Sequence, residues 1–496
     1  SFDVEAYDVD GASLLQPVDI ETAVYPFLGP GRTADDVEHA RGALEKAYHD
    51  RGYQSVVVEV PAQNPGEIIR LHVVEAPVGR LRVVGSRYFS PEVIRRLTPS
   101  LKEGEVPDFN HTQKELAETN RLSDRRVTPV LRAGVAPGTV DVDLKVSDTL
   151  PAHASLELTN DHSQDTKPLR LIASAHYDNL WQLGHSVSFT YSVAPQRPSD
   201  SQIFAGSYLA PLWGTPWSLL AYGYDSNSNV ATLGGTNVLG KGYALGLRGI
   251  RQLPRLADFS QSLSFGPDFK HFDENISFGG PVQADNVVYV PFNAVYSLQR
   301  ADDRSSERGS LGVTAGIRGL GSDIAAFQFK RGDANPNFIH LNLDMALTQA
   351  LGHGVEAAER FSGQLADQPL IPSEEFAAGG LASVRGYLQS EAIGDSGFSG
   401  SLELRSPALA PRLGRLADRF VEDLRVYGFV DGAFLRVIDP LPEQTDVFAL
   451  YSAGLGVRFQ VLKYLRGDLV LALPLVDGAV TKMGQPRAVF SVKSEF

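Results

Sequence analysis

The fold is decided by residues 451–461, which read YSAGLGVRFQV. Apolar residues alternate there with small or polar ones, so an extended strand presents one apolar face and one polar face. A tilted strand that crosses a lipid bilayer needs about 9–11 residues, and this stretch provides them. The pattern therefore predicts a strand of a membrane β-barrel, whose outside faces lipid and whose inside faces water.

The same alternation recurs along the chain from residue 151 onward. Clear examples are residues 187–193, 339–347, 469–475 and 488–496. The helical period is lost in this region, and turn residues recur about every 10–20 residues. We count sixteen candidate strands, an even number as in bacterial barrels. They begin near Ala152, Leu169, His185, Ser201, Pro216, Leu239, Asp258, Asn286, Gly309, Asn337, Val355, Ser396, Leu424, Ala449, Arg466 and Arg487.

A soluble β-sandwich is the alternative fold, because its strands alternate in the same way. Its strands are usually shorter, and its second faces need not stay polar over so many strands. The mean hydropathy of -0.12 also fits a membrane barrel, in which the two faces of each strand cancel. We therefore predict that residues 151–496 form a transmembrane barrel of 16 antiparallel strands.

Composition excludes several classes of function. With 45 basic and 59 acidic residues the net charge is -14, which argues against a nucleic-acid partner because phosphate binding needs concentrated Lys and Arg. The absence of cysteine excludes disulfides, thiolate metal sites and cysteine nucleophiles. The 11 histidines are scattered, without an H-E-x-x-H pair, and no serine lies in a G-x-S-x-G elbow. We expect no catalytic residue, metal or cofactor, and a barrel hydrolase with dispersed triad residues is the alternative.

Two small repeats precede the barrel. Each has the order strand, helix, helix, strand, strand, and we assign residues 1–76 to the first and residues 77–150 to the second. In the first repeat Thr33 and Asp36 resemble a capping box that opens the second helix. Small sheets of this kind leave edges that can accept a strand from another chain. The repeats are predicted to bind an extended polypeptide, and two linker domains without a ligand are the alternative.

A long interruption at about residues 371–395 separates the eleventh and twelfth candidate strands. Residues 375–387 read EFAAGGLASVRGY and include aromatic and branched side chains, so the composition is not that of a disordered segment. We expect the segment to fold back into the barrel, where the guanidinium of Arg385 can pair with a carboxylate. The alternation of the next strands turns Glu403, Arg405 and Asp431 inward, so a partner is available.

Two short motifs in this region carry a resemblance to a known group. They comprise Val384, Arg385, Gly386 and Tyr387 at the tip of the segment, and Phe429, Asp431 and Gly432 within the strand segment FVDGA. With the two repeats and the terminal aromatic residue, they make the chain similar over nearly its whole length to the TpsB transporters of two-partner secretion. These FhaC/ShlB-like proteins belong to the superfamily that includes BamA.

The resemblance implies that the repeats are POTRA domains, which capture an unfolded TpsA-type exoprotein in the periplasm. The barrel then exports that partner across the bacterial outer membrane, and pairing of Arg385 with Asp431 holds the inward segment in the pore. It also implies a monomer in outer-membrane lipid, which is not an enzyme and uses no cofactor.

The sequence departs from the family pattern in two places. Members usually begin with a plug helix and a linker, and nothing ahead of Phe2 supplies them, which puts gating by a plug in doubt. Members usually carry Gly two residues after the inward Asp, where this chain has the small residue Ala433. Since the chain opens at Ser1 without a leader, we expect that a signal peptide has been removed or lies outside this sequence.

Two other functions of a membrane barrel are alternatives. One is an assembly factor of the BamA type, which inserts other barrels and usually carries more POTRA domains. The other is a diffusion pore for small solutes, which needs neither the repeats nor a folded inward segment.

Overall fold

The computed structural model describes residues 1–64, 66–228, 230–233, 236–276, 283–410, 420–442 and 444–496. The chain divides into two compact units, one made of Ser1–Pro151 with Trp181–Gly184 and the other of Ala152–Leu180 with His185–Phe496. Within the described ranges, every helix is too short or too polar to cross a membrane.

The second unit is a closed antiparallel barrel, and sixteen strands form it within the described residues. Each strand pairs with the next one along the chain, and the last pairs with the first from Ser491 opposite Thr159 to Glu495 opposite Ser155. The predicted fold is confirmed. In chain order the strands are β1 Ala152–Thr159, β2 Arg170–Leu180, β3 His185–Val193, β4 Gln202–Pro211, β5 Trp217–Ser226, β6 Lys241–Leu256, β7 Phe259–Ile276, β8 Gln283–Tyr289 with Phe292–Ala301, β9 Ser305–Ala315, β10 Ile339–Gly352, β11 Val355–Ala366, β12 Ser396–Arg405, β13 Val421–Arg436, β14 Val447–Val461, β15 Leu465–Pro474 and β16 Arg487–Glu495.

The expected strand starts agree closely with the observed ones. The largest offset is at β9, expected near Gly309 and observed at Ser305. Strand β8 is interrupted before Phe292 by Pro291, which has no backbone N–H to donate to the ladder. Both parts of β8 pair with β7, so the interruption leaves one strand of the barrel wall.

The outer surface of the barrel is apolar. In β15 the side chains of Leu469, Leu471 and Leu473 are 48%, 57% and 40% exposed, while Val470 and Ala472 between them are buried. Exposed Leu, Val or Phe residues lie on most of the other strands of the wall. A continuous apolar band is costly in water and stable in lipid, so this band is the membrane-facing surface.

The first repeat places two helices on a three-stranded sheet. Strand Ile68–Glu75 lies in the middle, parallel to Ala6–Asp10 and antiparallel to Val56–Glu59. The helices are Pro17–Val24 and Ala34–Asp50, and Thr33 with Asp36 forms the predicted capping box at the start of the second. The short strand Gly29–Arg32, which the sequence did not predict, pairs with Phe2–Val4, and the turn Tyr25–Phe27 completes the unit.

The second repeat has the same arrangement. Strand Val140–Asp148 is central, parallel to Val78–Val84 and antiparallel to Arg125–Ala133. Helices Pro91–Arg96 and Phe109–Thr119 and the turn Pro99–Leu101 cover one face. The core of this repeat includes Ile94, Leu101 and Leu144, all fully buried. Both repeats therefore show the predicted strand, helix, helix, strand, strand order, with two edge strands per sheet.

Candidate functional site in the barrel lumen

The segment between β11 and β12, residues 367–395, is called L6 here. Its stem is a small antiparallel pair, Phe376–Ala378 with Ala392–Gly394, preceded by the turn Pro372–Glu374. Because the two arms of the stem pair with each other, the residues between them, 379–391, double back as a tip. Most side chains of the stem and tip are buried, so L6 is an ordered hairpin within the barrel.

Arg385 is the central polar residue of the tip. Its side chain is 3% exposed, and the Nε and Nη2 atoms donate to both oxygens of Asp431 at 2.8 Å each. The Nη1 atom donates to Glu403 at 2.7 Å, and Nη2 also reaches the Ser401 hydroxyl at 3.0 Å. The backbone N–H of Arg385 donates to Asp431 as well, at 3.0 Å. One guanidinium therefore joins the tip to two strands of the wall.

The strand alternation explains how the wall presents these groups. In β13 Val426 and Val430 face outward, so Phe429 and Asp431 face the lumen, and in β12 Glu403 does the same between Leu402 and Leu404. The guanidinium carbon lies 3.5 Å from the centroid of the Phe429 ring, a cation–π contact that covers the ion pair. The ion pair of Arg385 with Asp431 is therefore bidentate, and it is largely desolvated beneath the Phe429 ring. Arg385, Asp431 and Glu403 are called the L6 anchor below.

Among the described residues, Arg405 forms its ion pairs with Glu403 and Glu356 and not with L6. Its Nε atom donates to Glu403 at 2.7 Å, and Arg458 reaches the same carboxylate at 3.2 Å. Glu403 thus joins three guanidinium groups, of which only Arg385 belongs to the loop. The structure brings Arg405 to the anchor indirectly, because it balances the charge of the carboxylate that Arg385 shares.

The residues next to Arg385 fit the tip against the wall. Val384 is fully buried in an apolar cluster with Tyr387, Ala433, Leu435 and others. Gly386 has a φ of +97°, and a Cβ there would lie 3.2 Å from the Cβ of Ala472, so both its conformation and the close approach favour glycine. Ala433 occupies the position where the family pattern has Gly, and its methyl group packs in this cluster.

Tyr387 ties the tip to β14 and to the segment after β15. Its hydroxyl lies 2.9 Å from the carbonyl oxygen of Tyr451 and 2.8 Å from that of Val476, so its proton is shared between two acceptors. Gly432, by contrast, lies on the outward side of β13, with Val430 and Phe434. Its backbone lies beside the Tyr451 ring, and a Cβ at this glycine would approach that ring to 3.1 Å.

A second buried cluster, near the L6 stem, was not found from the sequence. The carboxylate of Glu374, 3% exposed, accepts from Lys270 at 2.6 Å, from the Tyr289 hydroxyl at 2.5 Å and from His340 Nε2 at 3.2 Å. These four residues come from four separate parts of the chain, and no local pattern connects them.

Two further contacts hold the tip to neighbouring loops. Leu381 N–H donates to Asp161, in the segment after β1, at 3.0 Å. Glu391 accepts from the backbone N–H groups of Val480 and Thr481, in the segment after β15, at 2.9 and 2.7 Å. Together with the anchor and the Glu374 cluster, these hydrogen bonds join the stem and the tip of L6 to the barrel wall and to the segments after β1 and β15.

Known protein families match both the barrel and the first repeat of this chain. A family model of the haemolysin secretion/activation protein ShlB/FhaC/HecB matches residues 138–458. The chain belongs to this family. A model of the ShlB-type POTRA domain matches residues 2–76. A comparison with curated protein sequences finds no match.

Solved structures of the same architecture include two CdiB proteins and a BamA protein. CdiB from Escherichia coli matches 100% of this chain and 90% of its own, at 18% identity and a TM-score of 0.68. CdiB from Acinetobacter baumannii gives the same coverage, at 16% identity and a TM-score of 0.62. BamA from Haemophilus ducreyi lacking POTRA domains 1-3 matches 100% of both chains, at 16% identity and a TM-score of 0.61. At these identities the likeness shows the shared fold alone.

As a member of the ShlB/FhaC/HecB family, the protein is an outer-membrane transporter of two-partner, or type Vb, secretion. Its barrel lies in the outer membrane, and its POTRA domains lie in the periplasm. The POTRA domains recognise an unfolded partner exoprotein, which is exported through the barrel. The family match distinguishes this activity from barrel assembly, which the likeness to BamA alone does not.

Proposed function

We propose that the L6 anchor holds the loop in the lumen in the state that is competent for export. The observation that carries this proposal is the set of contacts of Arg385, whose guanidinium meets two buried carboxylates and one aromatic face. Removing one member leaves a buried charge without its partner, which costs about 3–5 kcal/mol. No other arginine lies in residues 367–395, so the loop has no substitute for Arg385.

The route of the exported chain runs, in this proposal, beside the anchor, along the lumen side of strands β6 to β12. A cavity of about 640 Å³ lies between the tip and strands β6 to β12. Hydroxyl groups bond to a backbone of any sequence and hold it weakly, which suits a passage for an unfolded chain. The serines that line it are Ser260, Ser262, Ser297, Ser310, Ser362, Ser383, Ser399 and Ser401.

The partner is captured, we infer, by strand addition to the POTRA sheets. Each sheet has two edge strands, and an extended chain that pairs with an edge gains backbone hydrogen bonds with little demand on its sequence. The domain limits that go with this proposal are residues 1–76 and 77–150 for the POTRA domains and 151–496 for the barrel. The division of the chain between Pro151 and Ala152 supports the last limit. The transporter acts as a monomer in outer-membrane lipid, since its sheet is closed by its own strands.

The test of the anchor is export by single variants. Arg385→Ala and Asp431→Ala should each lower the exoprotein in the culture medium at least about tenfold, because the anchored loop loses a buried ion pair. The amount of barrel in the outer membrane should stay close to that of the wild type. Normal export by both variants would refute the role of the anchor.

Arg425→Ala is the matched control. Arg425 in β13 also pairs with carboxylates, at 2.8 Å to Glu356 and 3.1 Å to Asp423, and neither carboxylate belongs to L6. Export by this variant should remain near the wild-type level. A loss equal to that of Arg385→Ala would mean that export depends on charge pairs of the wall in general.

Removal of the whole protein separates export from barrel assembly. The exoprotein should then disappear from the medium, while the amounts of other outer-membrane barrels stay unchanged. A general loss of those barrels would instead favour the assembly function.

A further inference from the structure

Three metal-ligating side chains meet on the first hairpin of the barrel, away from L6. His153 in β1 lies directly opposite His176 in β2, and the centroids of the two rings are 4.7 Å apart. Asp178, two residues further along β2, places Oδ2 3.3 Å from His176 Nε2. One ligand atom from each of the three residues lies within 4.8 Å of the others.

The three side chains share the lumen face. In β1 Leu156 and Leu158 are exposed on the outer surface, so His153, at odd spacing from them, points inward. His176 also points inward, because it lies directly opposite His153. Asp178 shares that face, because it is two residues further along the same strand. The side chains of His176 and Asp178 are 44% and 22% exposed, so solvent and small ions reach them.

We propose that His153, His176 and Asp178 bind a divalent transition-metal ion, for which Zn²⁺ is the probe. Two imidazole nitrogens and one carboxylate oxygen are a preferred set of ligands for such an ion, with water at the fourth, open position. Zn–N distances of about 2.0–2.1 Å require the ligand atoms to approach each other, and the exposed His176 ring is free to turn toward the ion.

The surroundings of the three residues support a site for a metal. The Ser186 hydroxyl donates to Asp178 Oδ1, which orients the carboxylate and leaves Oδ2 directed at His176. Hydrogen bonds of this kind set the orientation of metal ligands and raise their affinity. A bound ion would join β1 to β2, and it would stiffen the strand that closes the barrel against β16.

The barrel contains a comparison site that lacks one ligand. In β7 His271 Nε2 lies 3.2 Å from Asp273 Oδ1, the same spacing of two residues along a strand. Among the described residues no third ligand joins this pair. His271 is therefore a matched control for a histidine next to a carboxylate without a cross-strand histidine.

The experiment is a calorimetric titration of the full-length, detergent-solubilised protein with Zn²⁺. The protein carries a purification tag that contains no histidine. We expect saturable binding of one ion per chain. His153→Ala and His176→Ala should weaken Zn²⁺ binding at least about tenfold. Loss of a residue that only hydrogen-bonds to a metal ligand already weakens metal affinity about 10- to 100-fold. Asp178→Asn should weaken it in the same direction, and His271→Ala should leave it unchanged.

Circular dichroism and thermal unfolding separate loss of binding from loss of fold. Each variant should keep the strand signal of the wild type, and Zn²⁺ should raise the unfolding temperature of the wild type and of His271→Ala only. The proposal is overturned if the wild type shows no saturable binding, if His153→Ala and His176→Ala bind as the wild type does, or if His271→Ala loses binding equally.

Discussion

The loop inside the barrel and the loops of the POTRA domains are both fixed by carboxylates, but in different ways. At the L6 anchor Asp431 receives a side-chain cation from the loop, and both partners are buried. In the first POTRA domain Glu75 receives the backbone N–H groups of Ser13 and Leu14 at 2.7 and 2.9 Å. In the first arrangement the loop is held mainly by a side chain, whereas in the second the loop contributes two backbone N–H groups besides the Ser13 hydroxyl.

The second POTRA domain repeats the arrangement of the first. Asp148 accepts from the backbone N–H groups of Arg87 and Tyr88 at 2.9 and 2.8 Å. Glu75 and Asp148 each end the central strand of their sheet, and each bonds the loop that follows the first strand of its domain. Any residue other than proline supplies a backbone N–H, so these loops tolerate changes of sequence. The tip of L6 does not, because its position requires Arg385.

The largest effect is expected for Asp431→Ala. It leaves the guanidinium of Arg385 with only Glu403 and Ser401, and the anchored tip should lose about 3–5 kcal/mol of local stability. Hydrogen exchange of residues 376–394 in the purified full chain measures this loss. Asp344→Ala is the control, because Asp344 accepts from Ser362 at 2.7 Å and is not part of the anchor. Unchanged protection of the tip in Asp431→Ala would contradict the claim that the pair of Arg385 with Asp431 holds the tip.

A smaller effect is expected for Glu403→Gln. Arg385 keeps both hydrogen bonds to Asp431, and the amide keeps the shape of the lost carboxylate. The tip should lose about 1.5–3 kcal/mol, the range for a hydrogen bond to a charged group. The same hydrogen-exchange measurement applies, and a loss greater than that of Asp431→Ala would show that Glu403 is the main partner.

A still smaller effect is expected for Tyr387→Phe. The ring keeps its place in the apolar cluster, and only the hydroxyl that bonds the carbonyls of Tyr451 and Val476 is lost. The tip should lose about 0.5–1.5 kcal/mol, measured from exchange of residues 384–391. Release of the whole tip by this variant would mean that the anchor alone does not hold L6.

The smallest effect is a pH dependence in the first POTRA domain. Burial alone would raise the pKa of Glu75, but hydrogen bonds from the Ser13 hydroxyl, the Ser13 and Leu14 N–H groups and Tyr48 outweigh it and lower the pKa below its ordinary value of 4.5. A lowered pKa means that the carboxylate stabilises the fold above pH 4.5 and that this contribution is lost as the pH falls through the lowered pKa.

Hydrogen exchange of residues 11–16, corrected for the intrinsic pH dependence of exchange, checks this prediction. The loop should open more readily below pH 4.5 in the wild type. Glu75→Gln should show weaker protection at neutral pH and little change on acidification. An equal acid response in both proteins would assign the effect to another group.

The sequence predicted what depends on local pattern. Strand alternation located the barrel strands, and the spacing of Thr33 and Asp36 located a helix start. The inward direction of Asp431 and Glu403 follows from alternation too, because a period of two fixes the face of every residue in a strand.

The sequence could not predict contacts set by register between distant strands. Glu374 meets Lys270 and His340 because the stem of L6 lies against β7 and β10, and no local signal indicates this. His153 and His176 looked scattered for the same reason, since a cross-strand pair is determined by the hairpin register. The strand Gly29–Arg32 was missed because its two glycines and proline are typical of a turn.

The stem of L6 limits how far its tip can travel. The paired arms Phe376–Ala378 and Ala392–Gly394 return the chain to its starting point, so a tip freed from Arg385 can extend only half of residues 379–391, or about 20 Å. The apolar layer of a bilayer is about 30 Å thick. A freed tip would therefore stay within about 20 Å of its stem and could not reach across the whole apolar layer.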